Sequence, residues 1–233
     1  MKSIWKYLAA CLFAFALIFL IFAHSFAQFT EYENLKQAVS KIIKANIQSK
    51  LSYAEIAKMC EEHETVEIGI EDFGNISLPC NKIKEMDKEN FLSFLADTIF
   101  DKIYSKTYTC NFFKCLSEQP LVIISSYANS YFKSLEIPAT ILTTLFGSIY
   151  FFLESPNFRR FKGLGYILLL SSFQFFLLYC IKDFFLRQEI LEISNALFSS
   201  MIFYYILALV FGIVLFCIGY MLERKVKGLI REK

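Results

Sequence analysis

The sequence predicts a mainly α-helical membrane protein. Four transmembrane helices are expected, with a disulfide-braced, mostly helical extracytoplasmic domain between spans 1 and 2 that has room for a small β-hairpin. Three observations carry this. The 233 residues are 56% hydrophobic and 18% aromatic, against roughly 45–50% apolar in soluble domains. The excess is concentrated in four runs, Tyr7–Ala23, Ile137–Leu153, Leu164–Ile181 and Ala196–Leu222, each near the ~20 residues that cross a hydrocarbon core. The third observation is that charge is sorted by segment.

The formal net charge of +2 conceals that sorting. Lys2 and Lys6 precede the first run, Arg159, Arg160 and Lys162 outnumber Glu154 after the second, and the tail from Glu223 has five basic and two acidic residues. Residues 29–136 instead hold 12 lysines against 16 acids, and 182–192 is net −1. In a four-span topology every basic segment falls on one side, which the positive-inside rule makes cytoplasmic. The expectation is an integral protein of the cell membrane, both termini cytoplasmic, with residues 29–136 outside. Its parts are an N-terminal anchor (1–28), the extracytoplasmic domain (29–136), and a three-helix membrane region with a basic tail (137–233). Ser25-Phe26-Ala27 resembles a signal-peptide cleavage site, but the 17-residue apolar run exceeds the usual ~7–15 of a signal core, which favours an anchor.

Within the domain, Leu35, Val39, Ile42 and Ile43 recur at helical spacing and predict a helix continuing the first span. Ser52 and Glu55 form a capping box that starts a short helix to Glu62. Val66, Ile68 and Ile70 alternate with polar residues as in a strand. Asp72-Phe73-Gly74-Asn75 supplies a turn and Ile76–Leu78 a returning strand. Asp87 caps a helix carrying Phe91, Leu92, Leu95, Ile99 and Ile103. After Pro120, Leu121–Leu135 reads as an amphipathic helix, either packed in the domain or lying at the membrane interface. Pro138, opening the next span, fits a first-turn position or a kink.

Cys60, Cys80, Cys110 and Cys115 all lie in the exported segment, where an even set of cysteines reads as a disulfide framework. Of three pairings, Cys60–Cys80 and Cys110–Cys115 are expected. A metal site on Cys60, His63 and Cys80 has weak zinc spacing, so no metal is expected. Glu61, Glu62, His63 and Glu64 read as a charged helix end. Cys11, Cys180 and Cys217 fall in spans and are expected to pack there. Asn75-Ile76-Ser77 is the one glycosylation sequon, with Asn75 on the turn.

The four runs contain no Asp, Glu, Lys, Arg or His, which argues against transport or proton relay. Their hydroxyls and Gln174 are expected to bond between helices. On the last span Ala196, Ser200, Ala208, Gly212 and Gly219 share a face of small residues suited to close helix packing, within the chain or with another subunit. The layout resembles that of the claudin-like four-span proteins. Their outer loop joins a tryptophan signature to two cysteines, whereas the single tryptophan here is Trp5, so no family membership follows.

No catalytic, cofactor or nucleic-acid motif stands out, and one histidine, His63, serves the whole of 29–136. The expected function is therefore non-enzymatic, without a cofactor: in the lipid bilayer, the outer domain binds a protein partner, as an accessory or assembly subunit or a surface interaction protein. Self-association through the membrane helices is the other partner reading. Phe112 and Phe113, between Cys110 and Cys115, are the candidate interaction residues: a short bridged loop directs side chains outward, where the pair either plugs a neighbouring groove of the fold or touches the membrane or a partner. An oligomeric channel is the alternative. A membrane thiol-disulfide oxidoreductase is the third reading, though such enzymes use Cys-x-x-Cys and the close pair here is Cys-x4-Cys.

Overall fold

The computed structural model describes residues 2–48, 51–70, 74–185 and 188–231, with side chains described except at 2–3, 70, 74, 177–196, 200 and 229–231. It divides into two compact units, Thr30–Asn129 and the pair of segments Met1–Phe29 and Ser130–Lys233.

The unit Thr30–Asn129 is built on two packed helices, α2 (Tyr32–Gln48) and α5 (Lys88–Tyr104). On α2, Leu35, Val39, Ile43 and Ile47 are buried at a strict four-residue spacing, the stripe that a 3.6-residue turn brings to one face. Opposing them, α5 buries Phe91, Leu92, Leu95, Ile99, Phe100 and Ile103. The Asp87 carboxylate caps α5, accepting from the Asn90 amide at 2.8 Å. Between these helices in sequence, α3 (Tyr53–Glu62) leads into β1 (Thr65–Ile70), which pairs antiparallel with β2 (Gly74–Pro79). The register sets Val66 opposite Leu78 and Ile68 opposite Ile76, and all four are buried. A short helix α4 (Cys80–Lys84) follows directly.

Several expectations change here. The helix after the first span is separate from it: α1 (Lys2–Phe29) ends before Thr30 and α2 begins at Tyr32. Thr30 is fully buried and accepts from the Asn129 side chain and, at its carbonyl, from Tyr104, which stops the helix with side-chain bonds. Ser52 stands at the start of α3 but its hydroxyl makes no capping bond. Asp72 and Phe73 of the expected turn lie outside the described residues. Asn75 belongs to β2, opposite Gly69, and is exposed.

The second unit holds α1, α8 (Asn157–Phe185), α9 (Gln188–Arg231) and, from Ser130 onward, α7 (Ser126–Leu153). Among the described residues, three stretches are long and apolar enough to cross a membrane: Ile4–Phe29, Ser126–Leu153 and Leu197–Gly228. No separate helix spans 121–135. A 3-10 helix (Pro120–Ile124) gives way to α7, which runs unbroken with Pro138 in its interior. The proline deletes a single backbone donor, a loss that long apolar helices tolerate. Helix also covers most of 182–192, ending at Phe185 and resuming at Gln188.

Glycine sets the contact between α8 and α9. A Cβ on Gly165 would lie 2.6 Å from the Gly212 carbonyl oxygen, and one on Gly219 would lie 2.7 Å from the Lys162 amide. The small face of α9 at Gly212 and Gly219 therefore packs against α8 of the same chain. Ala208 packs on the cluster of Ile21, Phe175, Met201 and Tyr205. The Ala196 and Ser200 side chains lie outside the described set, as does that of Cys180.

Among the described residues, five of the serine and threonine hydroxyls expected to bridge helices bond within their own helix instead. Thr140, Thr143, Thr144, Ser171 and Ser172 each donate to a carbonyl four residues back, the local bond always within reach in a helix. Gln174 is exposed on α8 rather than packed. Cys11 and Cys217 are likewise exposed rather than packed.

Candidate functional site

Cys110 and Cys115 are bonded to each other, as are Cys60 and Cys80. The longer bridge joins the last turn of α3 to the residue after β2, where the Cys80 amide donates to Glu64 O at 2.9 Å. Cys60 and Cys80 are 0% and 1% exposed. With both thiols in the bridge, neither is a ligand or a nucleophile. Glu61, Glu62, His63 and Glu64 are all exposed at the end of α3, the charged helix end the sequence suggests.

The shorter bridge is built on a helix rather than a bare loop. Asn111 caps α6 (Phe112–Glu118), its side-chain oxygen accepting from the Phe113 amide at 3.2 Å. Consecutive residues of a helix point about 100° apart, so the adjacent phenylalanines separate. Phe112 is 3% exposed and Phe113 67% exposed. The outward direction expected for both therefore holds for Phe113 alone; Phe112 belongs to the core.

Aromatic rings frame this point. Phe112 lies 6.3 Å from the Tyr127 ring, which stacks with Tyr108 at 6.0 Å. The Tyr127 hydroxyl donates to Cys110 O at 2.8 Å, tying the bridge to the start of α7. Burial pushes the Tyr108 phenol above its ordinary range, so it stays neutral and able to donate. The result is a fixed aromatic platform with one large apolar side chain projecting from it.

A second constellation escaped the sequence reading. His24 of α1 sits with Nδ1 3.0 Å from Glu136 Oε1 of α7 and Nε2 3.0 Å from the Tyr204 hydroxyl of α9. Gln28 Nε2 approaches the same Nε2 at 3.4 Å. The His24 and Tyr204 rings meet edge-on at 4.7 Å. The available signal was that His24 closes one apolar run and Glu136 opens the next, so both stand at the same end of antiparallel spans.

At the opposite end of the helices, Lys6 pairs with buried Glu154 at 2.9 Å, and Lys162 and Lys227 both hold Glu223. Among the described residues no group of three or more His, Cys, Asp or Glu side chains could hold a metal ion. Compared with protein-family models, curated proteins and solved structures, the chain gives no significant match.

Proposed function

We propose that this is a four-span integral membrane protein, non-enzymatic, that displays residues 30–129 outside the cytosol as a module binding a protein partner. In this reading α8 supplies the span beside the three apolar helices, both termini are cytoplasmic, and the chain acts as an accessory or assembly subunit or as a surface interaction protein. The observation that carries the partner reading is Phe113, 67% exposed on a helix locked by a disulfide, an Asn cap and a tyrosine. A large apolar side chain held rigidly in water loses little further entropy on binding, as interface anchors do. The location is supported by the two bridges, both within 30–129, since disulfides persist in oxidising compartments, and by the sorting of basic residues. Asn75, exposed on β2, is the acceptor if N-glycans are added, and a glycosidase-sensitive mass shift detects them.

The test is a photoreactive amino acid placed at 113 in native membranes. A discrete protein adduct, lost from a Phe113→Ser background with a probe at a neighbouring position, supports the reading. Adducts to lipid alone, or none, reject it. Impermeant thiol labelling at an engineered 160 in intact cells tests the orientation: labelling there overturns it.

Self-association through α7, and with it the channel alternative, draws on one feature. Thr140, Thr144 and Ser148 form an exposed polar stripe on α7. The mass of the purified protein in detergent separates the readings: a single-chain mass removes the oligomeric channel.

A further inference from the structure

Among the described residues the sheet has only the strands β1 and β2, so each has one edge with no strand beside it. The register fixes which backbone groups those edges carry. Continued by one residue beyond Thr65–Pro79, it sets Glu64 opposite Cys80, and the Cys80 amide donates to Glu64 O at 2.9 Å. Hydrogen-bonded and non-hydrogen-bonded pairs alternate along an antiparallel ladder. Val66–Leu78 and Ile68–Ile76 are therefore the bonded pairs. Thr65–Pro79, Glu67–Ser77 and Gly69–Asn75 turn their backbone groups outward. Pro79 agrees with this phase, since a strand places proline where the ladder needs no donor.

The two outward edges differ. On β2, Pro79 has no amide proton, and Asn75 O accepts from the Lys102 ammonium of α5 at 2.8 Å. That edge is blunted at both ends. On β1, Thr65, Glu67 and Gly69 each turn an N–H and a C=O outward, and all three residues are exposed. Among the described residues no hydrogen bond reaches them from outside the hairpin. Their groups recur at every second residue, roughly 6.8 Å apart, the repeat of an extended peptide.

Side chains select the occupant. Glu67 stands on the exposed face of β1, and Glu61, Glu62 and Glu64 are exposed just before the strand. If a second copy paired β1 with β1 in the symmetric register, Thr65 opposite Gly69, then Glu67 would face Glu67. Like charges directly opposite are destabilising, and charge on an edge is a common guard against self-pairing. A strand with lysine or arginine opposite Glu67 gains where a second copy loses. On the other face Val66 and Ile68 are 5% and 6% exposed, so apolar residues flanking that base extend a buried surface.

We propose that the outer edge of β1 takes up an extended segment of a partner protein as a third, antiparallel strand, with a basic side chain opposite Glu67 and apolar neighbours on the Val66–Ile68 face. Strand addition draws affinity from main-chain hydrogen bonds and selectivity from alternate side chains. The edge shares no residue with the Phe113 surface and goes beyond the reading built on it.

The experiment uses the full chain in detergent and a fluorescent peptide, Ser-Val-Lys-Val-Lys-Val-Ser, read by anisotropy. In the antiparallel ladder a residue opposite Glu67 points its own N–H and C=O at β1. N-methylation of both lysine amides should therefore abolish saturable binding, and N-methylation of the valine amides should leave it unchanged. Glu67→Gln should weaken binding about threefold, the worth of one cross-strand charge pair. Glu67→Pro removes an outward amide as well, without touching a β1–β2 bond, and should weaken it further. If that variant fails to fold, the two methylated peptides still decide. Phe113→Ser should bind the peptide as the unmodified chain does. Equal binding of the two methylated peptides, no saturable binding to the unmodified chain, or binding unchanged in Glu67→Gln and Glu67→Pro overturns the proposal. So does loss of binding in Phe113→Ser, or cross-linking between copies through β1, which would make the occupant a second copy.

Discussion

The Tyr32 hydroxyl donates to Asp101 Oδ1 at 2.6 Å, the first rung of a polar ladder along one edge of the α2–α5 pair. Lys36 pairs with Asp97 at 3.2 Å, Ser40 donates to the same carboxylate, and Lys44 donates to Ser93 at 3.0 Å. The rungs fall four residues apart on α2 because the apolar stripe beside them does.

This ladder predicts alkaline sensitivity. The hydrogen bond to Asp101 holds the Tyr32 phenol above its ordinary 10.0, and the one to Asp97 holds the Lys36 ammonium above 10.5. In both cases the folded chain favours the protonated form. Their contribution is therefore complete below those ordinary values and is lost as pH rises through the higher folded-state values. Unfolding of the full chain, followed from below 10.0 to above 10.5, should show a shallower fall in stability for Tyr32→Phe than for the unmodified protein. Equal slopes would remove the ladder's role.

The two bridges should differ in worth. Cys60–Cys80 spans 20 positions and Cys110–Cys115 spans 5. Loop-closure entropy then assigns about 3 kcal/mol to the first and about 2 kcal/mol to the second. The double variant Cys60→Ala/Cys80→Ala should lower the denaturant midpoint more than Cys110→Ala/Cys115→Ala does. The reverse order, or crossed pairs in non-reduced peptide mapping, would contradict the assignment.

Gly165→Ala should loosen α8 from α9. Its Cβ would meet backbone at 2.6 and 2.7 Å, the Gly212 oxygen and the Phe216 amide nitrogen, and backbone cannot turn aside as a side chain can. Overpacking of this kind costs about 1–3 kcal/mol, readable as a lower melting temperature in detergent. Gly228→Ala is the control, since nothing lies within 4 Å of its added carbon.

Ser25→Ala should raise stability or leave it unchanged. Ser25 is 0% exposed and its hydroxyl has no hydrogen-bond partner among the described residues. Burying such a group costs about 1–3 kcal/mol, so removing it relieves more than the small void takes back. A destabilised variant in detergent melts would mean the hydroxyl has a partner after all.

The legible parts of this fold were local. Alternation in Thr65–Ile70 marked β1, and Asp87 marked the start of α5, because each signal acts within a few residues. Phe112 and Phe113 misled for the same reason: the bridge was visible, but the helix that rotates one ring inward depends on Asn111 as a cap. Pro138 also marked no boundary, since a single missing donor does not outweigh the need to keep every other backbone group bonded. The His24 cluster lay out of reach, its partners being 112 and 180 residues away along the chain. Only the packing of three helices brings them together.

The Cys60–Cys80 bond makes a covalent ring that contains the whole β1–β2 hairpin. Two isolated strands are marginal in water, so a hairpin at the edge of a small unit is where a protease would cut. Here a single cut anywhere between Glu61 and Pro79 severs the peptide chain without releasing a fragment. The nicked molecule gains only one water, and its two pieces stay joined until a reductant opens the ring.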